Sequence, residues 1–392
     1  MQSAAHQEKH FQQYIIDRLV EQGWKLGDSK FYDTERAVYP EDLESWIKTS
    51  GQQEKWDKLE RLNGAKTLEV LMDRLDKALE KQGTMQVLRQ GFSIAGCGLI
   101  EMTEAAPEDK RNAAVIERYQ ANILRVVPEL KYHPAREFAI DLVLFINGLP
   151  VATVELKTDF TQSCEAAMDQ YRNDRLPYDA KTKRREPLLT FKRGAVVHFA
   201  MSDSEIMMAT KLDGENTFFL PFNKGRKDES GTVHAGNPPG EIKADGTQEY
   251  PVAYFWEAVC QPDAWLRIFH SFVYVEKKDV VDIQGNWSKK ETLIFPRFHQ
   301  WTAVNQMLAD ARENGAGMTY LCDHSAGSGK TSTISWTAHD LVKLREDNGD
   351  AVFNSVIIVT DRNVLDGQLQ DAVKQIDHQF GVIAAIDRQK SS

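Results

Sequence analysis

From Asp141 to Lys157 the chain runs Asp-Leu-Val-Leu-Phe-Ile-Asn-Gly-Leu-Pro-Val-Ala-Thr-Val-Glu-Leu-Lys: an acid, β-forming residues, a turn, more β-formers and a closing Glu-x-Lys. Hydrolysis of a phosphodiester needs a divalent cation to polarise the phosphoryl oxygen and lower the pKa of a water. Magnesium prefers hard oxygen ligands, one or two carboxylates completed by waters and phosphate. Asp141 and Glu155 are the candidate magnesium ligands. Lys157 follows two residues later on the same strand face, where its ammonium can meet the attacking water or the phosphate. The strand around Glu155 is otherwise apolar (Val151, Val154, Leu156), so its charges are not ones that packing would select.

Glu-x-Lys is common, and a surface hairpin with ordinary exposed charges is the competing reading. Register separates the two. Asn147-Gly148 is a strong two-residue turn signal. A plain two-residue loop would set Asp141 opposite Val154 and turn Glu155 to the other face. The carboxylates meet only if the loop has three residues, for example with Ile146 paired to Pro150, or if a strand carries a bulge.

A second chemistry-bearing run is His324-Ser-Ala-Gly-Ser-Gly-Lys-Thr331, predicted to lie between an apolar strand and a helix, the setting of a phosphate-binding loop. Gly327, Ser328 and Gly329 can turn backbone N–H groups to the phosphates of ATP, helped by the helix N-terminus. Lys330 would reach the β- and γ-phosphates, and the Thr331 hydroxyl would coordinate magnesium. His324 stands where Gly or Ala is usual.

Periodicity predicts amphipathic helices over 5–22 and 66–90. Strand-like segments follow at Phe92–Met102, Phe138–Ile146 and Val151–Lys157, with 113–124 ambiguous between helix and strand. A helix over about 161–175 precedes strands at Ala195–Met201, Glu205–Leu212 and Thr217–Phe222. Residues 223–250 are a polar, Gly/Pro-rich loop, and 252–270 are helical with Phe255, Trp256, Val259, Trp265 and Ile268 on the apolar side. From Phe295 the pattern becomes helix (301–313), strand (Met318–Cys322), Gly-rich loop, helix (330–346), strand (Val356–Thr360), helix (364–376), which spells a parallel α/β sheet. There are no internal repeats.

The length, 392 residues, suits two or three domains. With 42% hydrophobic and 27% charged residues, the chain has an ordinary globular composition. No apolar run is long enough to span a membrane, and no secretory signal opens the chain. Cys97, Cys164, Cys260 and Cys322 lie far apart, suggesting neither zinc nor disulfides but buried thiols in a reducing cytoplasm. The net charge of -10 disfavours strong unaided nucleic-acid binding, whereas residues 171–193 concentrate Arg172, Arg175, Lys181, Lys183, Arg184, Arg185, Lys192 and Arg193. Arg172, Arg175, Arg184 and Arg185 are the candidate DNA contacts, a solvated loop being the alternative.

The Asp141/Glu155/Lys157 arrangement resembles the PD-(D/E)xK nuclease core, with Ile140 in place of the usual non-ligand Pro. That resemblance implies accessory roles for Glu8 near the metal and for Gln170 and Tyr171 in steadying the site or the DNA backbone. In some relatives the last two are separated by three residues; here they are adjacent. Phe295-Pro-Arg-Phe-His-Gln300 resembles the Q motif of superfamily 2 helicases, with Gln300 reading adenine and Arg297 near the nucleotide. Val356-Ile-Ile-Val-Thr-Asp-Arg362 resembles motif Ia, in which Thr360 and Arg362 would touch the DNA backbone.

A nuclease core placed before a superfamily 2 motor resembles the R subunit of type I restriction enzymes; FINGLPVATVELK, FPRFHQ and HSAGSGKT carry the likeness. The resemblance implies an α/β architecture: a PD-(D/E)xK-like endonuclease domain over 1–255, a helical linker over 256–290, and an incomplete RecA-like ATPase domain over 291–392. It further implies magnesium, ATP, double-stranded DNA, and methyltransferase and specificity subunits as partners. No Asp-Glu-x-His motif and no second RecA-like domain occur by Ser392, so this stretch is expected to be an N-terminal fragment without ATPase activity of its own. Two rivals remain: a DNA-dependent ATPase or remodeller with a non-catalytic DNA-binding front domain, and a stand-alone nuclease whose ATP site is regulatory.

Overall fold

The computed structural model describes residues 4–107, 111–159, 163–179, 181–281, 285–346, 348–360, 369, 370 and 373. Two compact units are formed, one by Met1–Ala106 with Ala113–Arg267, the other by Pro107–Asn112 with Ile268–Ser392.

In the first unit, α1 (Ala4–Glu21) buries Phe11, Ile15, Ile16 and Leu19, spaced one helical turn apart or less, and stops before Gly23 at φ 98°. A short β1 (Lys25–Leu26) leads to α2 (Pro40–Thr49), which opens with Pro and two acids as helix starts favour. Then come α3 (Gln53–Asn63), α4 (Thr67–Gln82) and α5 (Thr84–Gln90). The single helix expected over 66–90 breaks at Gly83 (φ 85°), where the Thr84 amide bonds to the Lys192 carbonyl at 2.7 Å instead of continuing the helix. A hairpin of β2 (Phe92–Ile94) and β3 (Gly98–Ile100) follows. The ambiguous stretch resolves into α6 (Ala113–Gln120) and the start of β4 (Leu124–Lys131).

A seven-stranded mixed sheet carries the unit, completed by β5 (Ala139–Ile146), β6 (Leu149–Leu156), β7 (Val197–Met201), β8 (Ile206–Ala209) and β9 (Leu220–Pro221), in the order β1-β4-β5-β6-β7-β8-β9. β1 runs parallel to β4 and β6 to β7; the other neighbours are antiparallel. Every residue of β6 is buried, as suits an almost wholly apolar central strand. Between β6 and β7 the chain crosses over through α7 (Cys164–Asn173). The core on that side gathers Val143, Phe145, Ala167, Met168, Tyr171, Leu188 and Ala200.

Two-stranded ladders of β10 (Arg226–Lys227) with β11 (Val233–His234) interrupt the expected loop over 223–250. A π-helical turn at Phe255–Val259 and α8 (Pro262–Arg267) close the unit, burying Phe255, Trp256, Val259 and Trp265. Cys164 and Cys260 are buried as expected, but Cys322 is exposed.

In the second unit another π-helical turn, Ile268–Phe272, precedes a two-stranded ribbon of β12 (Tyr274–Val281) and β13 (Trp287–Ile294). This corrects the helical linker over 256–290. Its first part belongs to the first unit's core, and its second part is a hairpin, because Tyr274, Val275, Leu293 and Ile294 make a better strand pair than a helix. The ribbon precedes α9 (Phe298–Asn314) and α10 (Lys330–Lys343), which with it bury Phe272, Tyr274, Val304, Leu308 and Trp336. Among the described residues the strands expected at Met318–Cys322 and Val356–Thr360 are not found: these segments pair with no described neighbour, leaving Leu321 93% and Val359 86% exposed. An apolar run becomes a strand only when a ladder satisfies its backbone. Most of the helix expected over 364–376, and Arg362, lie outside the described residues.

Candidate active site

The turn between β5 and β6 is the two-residue kind, with Asn147 at φ 49° and Gly148 at φ 86°, and Ile146 pairs with Leu149. Left alone, that register would put the two carboxylates on opposite faces. A bulge corrects it: Phe145 pairs with Pro150 but Leu144 with Ala152, so Val151 is the extra residue. Beyond the bulge Leu142 pairs with Val154, which brings Asp141 opposite Glu155. Of the two devices anticipated, the bulge is the one used, and the three-residue loop is not.

This hairpin is no surface feature. The Asn147 side chain is buried, accepting from the Ile123 amide at 2.6 Å and donating to the Met102 carbonyl at 2.8 Å. A Cβ on Gly148 would lie 2.7 Å from the Tyr39 carbonyl oxygen. Its own carbonyl accepts from the Tyr39 amide at 2.8 Å, so β5 and β6 are locked to the start of α2.

Asp141 Oδ2 accepts the Leu156 amide at 2.6 Å, reaching across to the neighbouring strand. Glu155 is fully buried; its Oε1 lies 2.5 Å from Arg175 Nε, and its Oε2 is buried with no hydrogen-bond partner. Lys157 Nζ donates to the Leu156 carbonyl at 2.7 Å and sits 3.5 Å from both carboxylate oxygens of Glu8. Burial raises the Glu8 carboxyl above its ordinary pKa, with Asp141 adding to the rise and Lys157 opposing it. For Glu155 burial is again the main cause of a strong upward shift, reinforced by Asp141 and opposed by Arg175. The expected Glu8, Asp141, Glu155 and Lys157 therefore converge on one place.

Sequence reasoning missed several members. Gln12, one turn beyond Glu8 on α1, donates to the Asp141 carbonyl at 2.7 Å and to Glu129 at 3.1 Å. Glu129 stands across from Asp141 in the β4–β5 register with φ 46°, and is the one acid inside a strand that otherwise reads Leu-Arg-Val-Val-Pro-x-Leu-Lys. The i, i+4 spacing of Glu8 and Gln12, and an acid within an apolar strand, were the available signals. Beneath the site, Thr153 Oγ1 lies 2.7 Å from the Tyr171 hydroxyl and 2.8 Å from His198 Nδ1, all buried. Tyr171 thus steadies the strand from below; being fully buried, it is not placed to touch a DNA backbone. Gln170 is half-buried on α7, and its carbonyl accepts from the amides of Asp174 and Arg175.

Arg175 was expected on a DNA-binding surface. It is 8% exposed and belongs to the acidic site as the partner of Glu155. Composition cannot separate a surface arginine from one drawn inward by a buried carboxylate. The other candidate DNA contacts are exposed or partly so, but each has an acidic partner: Arg172 with Glu165 and Asp169, Arg184 with Glu35, Arg185 with Glu80.

Glu8, Glu129, Asp141 and Glu155 against Lys157 and Arg175 leave a formal excess of two negative charges, the amount a divalent cation neutralises. With the unpartnered oxygen of Glu155, the donor set fits a hard cation held by Asp141 and Glu155. Among the described residues one trio of ligand-type atoms packs within 4.8 Å, and it lies elsewhere: His133, Asp179 and Glu186. That trio is better satisfied without metal. His133 Nδ1 accepts the Ala135 amide at 3.0 Å, which puts the ring proton on Nε2, facing the carboxylates at 3.3 and 3.6 Å. Arg136 holds Asp179 at 2.6 Å.

In the second unit the loop before α10 has Gly327 and Gly329 at positive φ, 74° and 82°. Lys330 Nζ curls back to donate to the His324 and Ser325 carbonyls at 2.7 and 2.9 Å. Ser328 is buried with its hydroxyl unpartnered, and Thr331 is half-buried in the first turn of α10. The Gln300 amide bridges its own helix start to the loop, accepting from the Arg297 amide at 2.9 Å and donating to the Gly329 carbonyl at 2.9 Å. Arg297, the helix-capping residue, is half-buried. Thr360 is described in irregular backbone, not at the end of a strand.

The chain thus builds a mixed-sheet α/β unit whose β5–β6 hairpin sets Asp141 opposite Glu155 with Lys157 close by, and in sequence after it a glycine loop leading into α10. Residues 6–217, more than half of the chain, match the family model described as type I restriction enzyme R protein N terminus, and the chain belongs to that family as an R subunit N-terminal region. Residues 299–390 are similar to the SWI2/SNF2 ATPase family. The chain is 24% identical over 254 residues to the type I restriction enzyme HindI endonuclease subunit of Haemophilus influenzae, covering 61% of this chain and 21% of the relative. To the putative type I restriction enzyme MjaVIIIP endonuclease subunit of Methanocaldococcus jannaschii it is 23% identical over 261 residues, 65% of this chain and 21% of that protein. The chain thus spans about a fifth of the length of these curated relatives. Among the described residues no helix is long and apolar enough to cross a membrane.

Proposed function

We propose that the first unit is a PD-(D/E)xK-type, magnesium-dependent nuclease domain. In this reading the chain is the front part of the DNA-cleaving, translocating subunit of a type I restriction enzyme, acting in the cytoplasm. The observation that carries this is the bulge at Val151, which sets Asp141 opposite Glu155 and gathers Lys157 and Glu8 beside them. A fold has no packing reason to bury Glu155 beside the half-buried Asp141 and Glu8; a cation and a phosphate supply one.

Magnesium, when bound, would polarise the scissile phosphate and acidify a water. Asp141 and Glu155 would hold it, Asp141 being already oriented by the Leu156 amide. Lys157 stands ready to hydrogen-bond the attacking water or to offset charge on the phosphate, and Glu8 keeps its ammonium in place. Gln12 fixes the Asp141 backbone, so the acid does not swing as substrate arrives.

The second unit is proposed to be the start of a RecA-like ATPase domain. Gly327, Ser328, Gly329, Lys330 and Thr331 would take the ATP phosphates and magnesium, and Gln300 with Arg297 the adenine side. Double-stranded DNA and the methyltransferase and specificity subunits would be the partners.

The test is Asp141→Ala and, separately, Lys157→Ala in the assembled full-length enzyme. Each is expected to lower cleavage by at least about 100-fold while ATP turnover continues. Normal cutting by both variants would refute the assignment.

A further inference from the structure

Glu155 presents its two oxygens to different surroundings. Oε1 lies 2.5 Å from Arg175 Nε, while Oε2 is equally buried and bonded to nothing. Arg175 is not an opportunistic partner. It sits just past the end of α7, its amide donating to the Gln170 carbonyl at 3.1 Å, which fixes where its side chain departs. The guanidinium is then enclosed beside buried Tyr132, whose hydroxyl lies near the Asp174 carbonyl, 3.5 Å away.

We propose that Arg175 is a positioning residue for the cation site: by occupying Oε1 it restricts Glu155 to a one-oxygen ligand through Oε2, so that a bound cation keeps a coordination position for water. The inference rests on the nuclease reading of the same site. A free carboxylate beside a divalent or trivalent ion readily closes on it with both oxygens, and each oxygen so added displaces a water. Where water is the nucleophile, that displacement removes the reactant. A buried N–H donor on one oxygen prevents it without contributing a ligand, because an Arg–carboxylate hydrogen bond in a dry pocket is strong.

Two substitutions of similar length separate the donor from charge and bulk. Arg175→Gln puts an amide nitrogen where Nε stands, keeping a donor and losing the charge. Arg175→Met keeps the bulk and loses both. The probe is terbium(III), bound to the full chain, with coordinated waters counted from luminescence lifetimes in H2O and D2O. Wild type and Arg175→Gln are expected to retain the same number of waters, and Arg175→Met one fewer. Equal counts in wild type and Arg175→Met, or a Gln variant that behaves like Met, would overturn the proposal. Should Arg175→Met not fold, infrared difference spectra of wild type against Glu155→Gln on calcium addition answer the same question. A wide carboxylate stretch splitting indicates one-oxygen binding and supports it; the narrow splitting of two-oxygen binding overturns it. If terbium binds no better to wild type than to Asp141→Ala, the nuclease reading itself fails, and this inference with it.

Discussion

His198 shows how a single buried residue ties this site to solution conditions. It is 1% exposed, hydrogen-bonded to Thr153 below the acidic site, and burial pushes its pKa down from 6.5 to about 3. The unfolded chain therefore takes up a proton that the folded one refuses between those values. The stability this residue contributes is complete above pH 6.5 and erodes as pH falls toward 3, by about 1.4 kcal/mol per unit. Glu155 works in the opposite sense: its raised pKa means its ionised form weighs against folding as pH climbs above 4.5. Comparison with His198→Gln cancels that second effect. Urea midpoints at pH 6.5 and 5.5 are expected to fall for wild type by the equivalent of about 1 kcal/mol more than for the variant. Parallel behaviour would mean that His198 is not held neutral.

Elements, not residues, decide whether the acids meet. The β5–β6 hairpin combines a tight turn with a one-residue bulge, and the turn is anchored by Asn147 and by the approach of Tyr39 to Gly148. Gly148→Ala meets both a positive φ and a carbonyl at 2.7 Å. The left-handed backbone alone costs about 1–3 kcal/mol in a residue with a Cβ, and the close contact adds to that. A fall in melting temperature of at least several degrees is expected in thermal denaturation, and an unchanged melting curve would show that the turn tolerates a side chain at this position. A second element-scale anchor is the buried Arg125–Asp42 pair, with two contacts of 2.6 Å joining α2 to β4.

At the scale of the whole molecule, the two proposed activities fall in different units. Lys330 belongs to the glycine loop of the second, where it is bonded to two loop carbonyls that a nucleotide's phosphates would replace. In the assembled full-length enzyme Lys330→Ala is expected to abolish ATP turnover and cleavage together, whereas Asp141→Ala should remove cleavage alone. Colorimetric phosphate release alongside a plasmid-cutting assay distinguishes them, and a Lys330→Ala enzyme that still turns over ATP would sink the loop assignment. Arg172, Arg184 and Arg185 are each paired within the chain, so little unpaired positive charge among them is left to hold DNA unaided.

Asp141, Glu155, Lys157 and the glycine loop were legible in the sequence because charged residues inside apolar runs, and glycines at fixed spacing before a helix, have few other physical reasons to be there. The bulge was legible only as a condition: alternation demanded some irregularity, but which residue would be extra depended on how Asn147 and Gly148 are gripped by segments remote in the chain. The place of Arg175 was not legible at all. A guanidinium in a basic stretch reads as surface, and only the packing of α7 against the sheet decides that a buried carboxylate lies within its reach. Local pattern fixes which groups are available, whereas desolvation and long-range contacts, which pattern does not encode, decide which of them face one another.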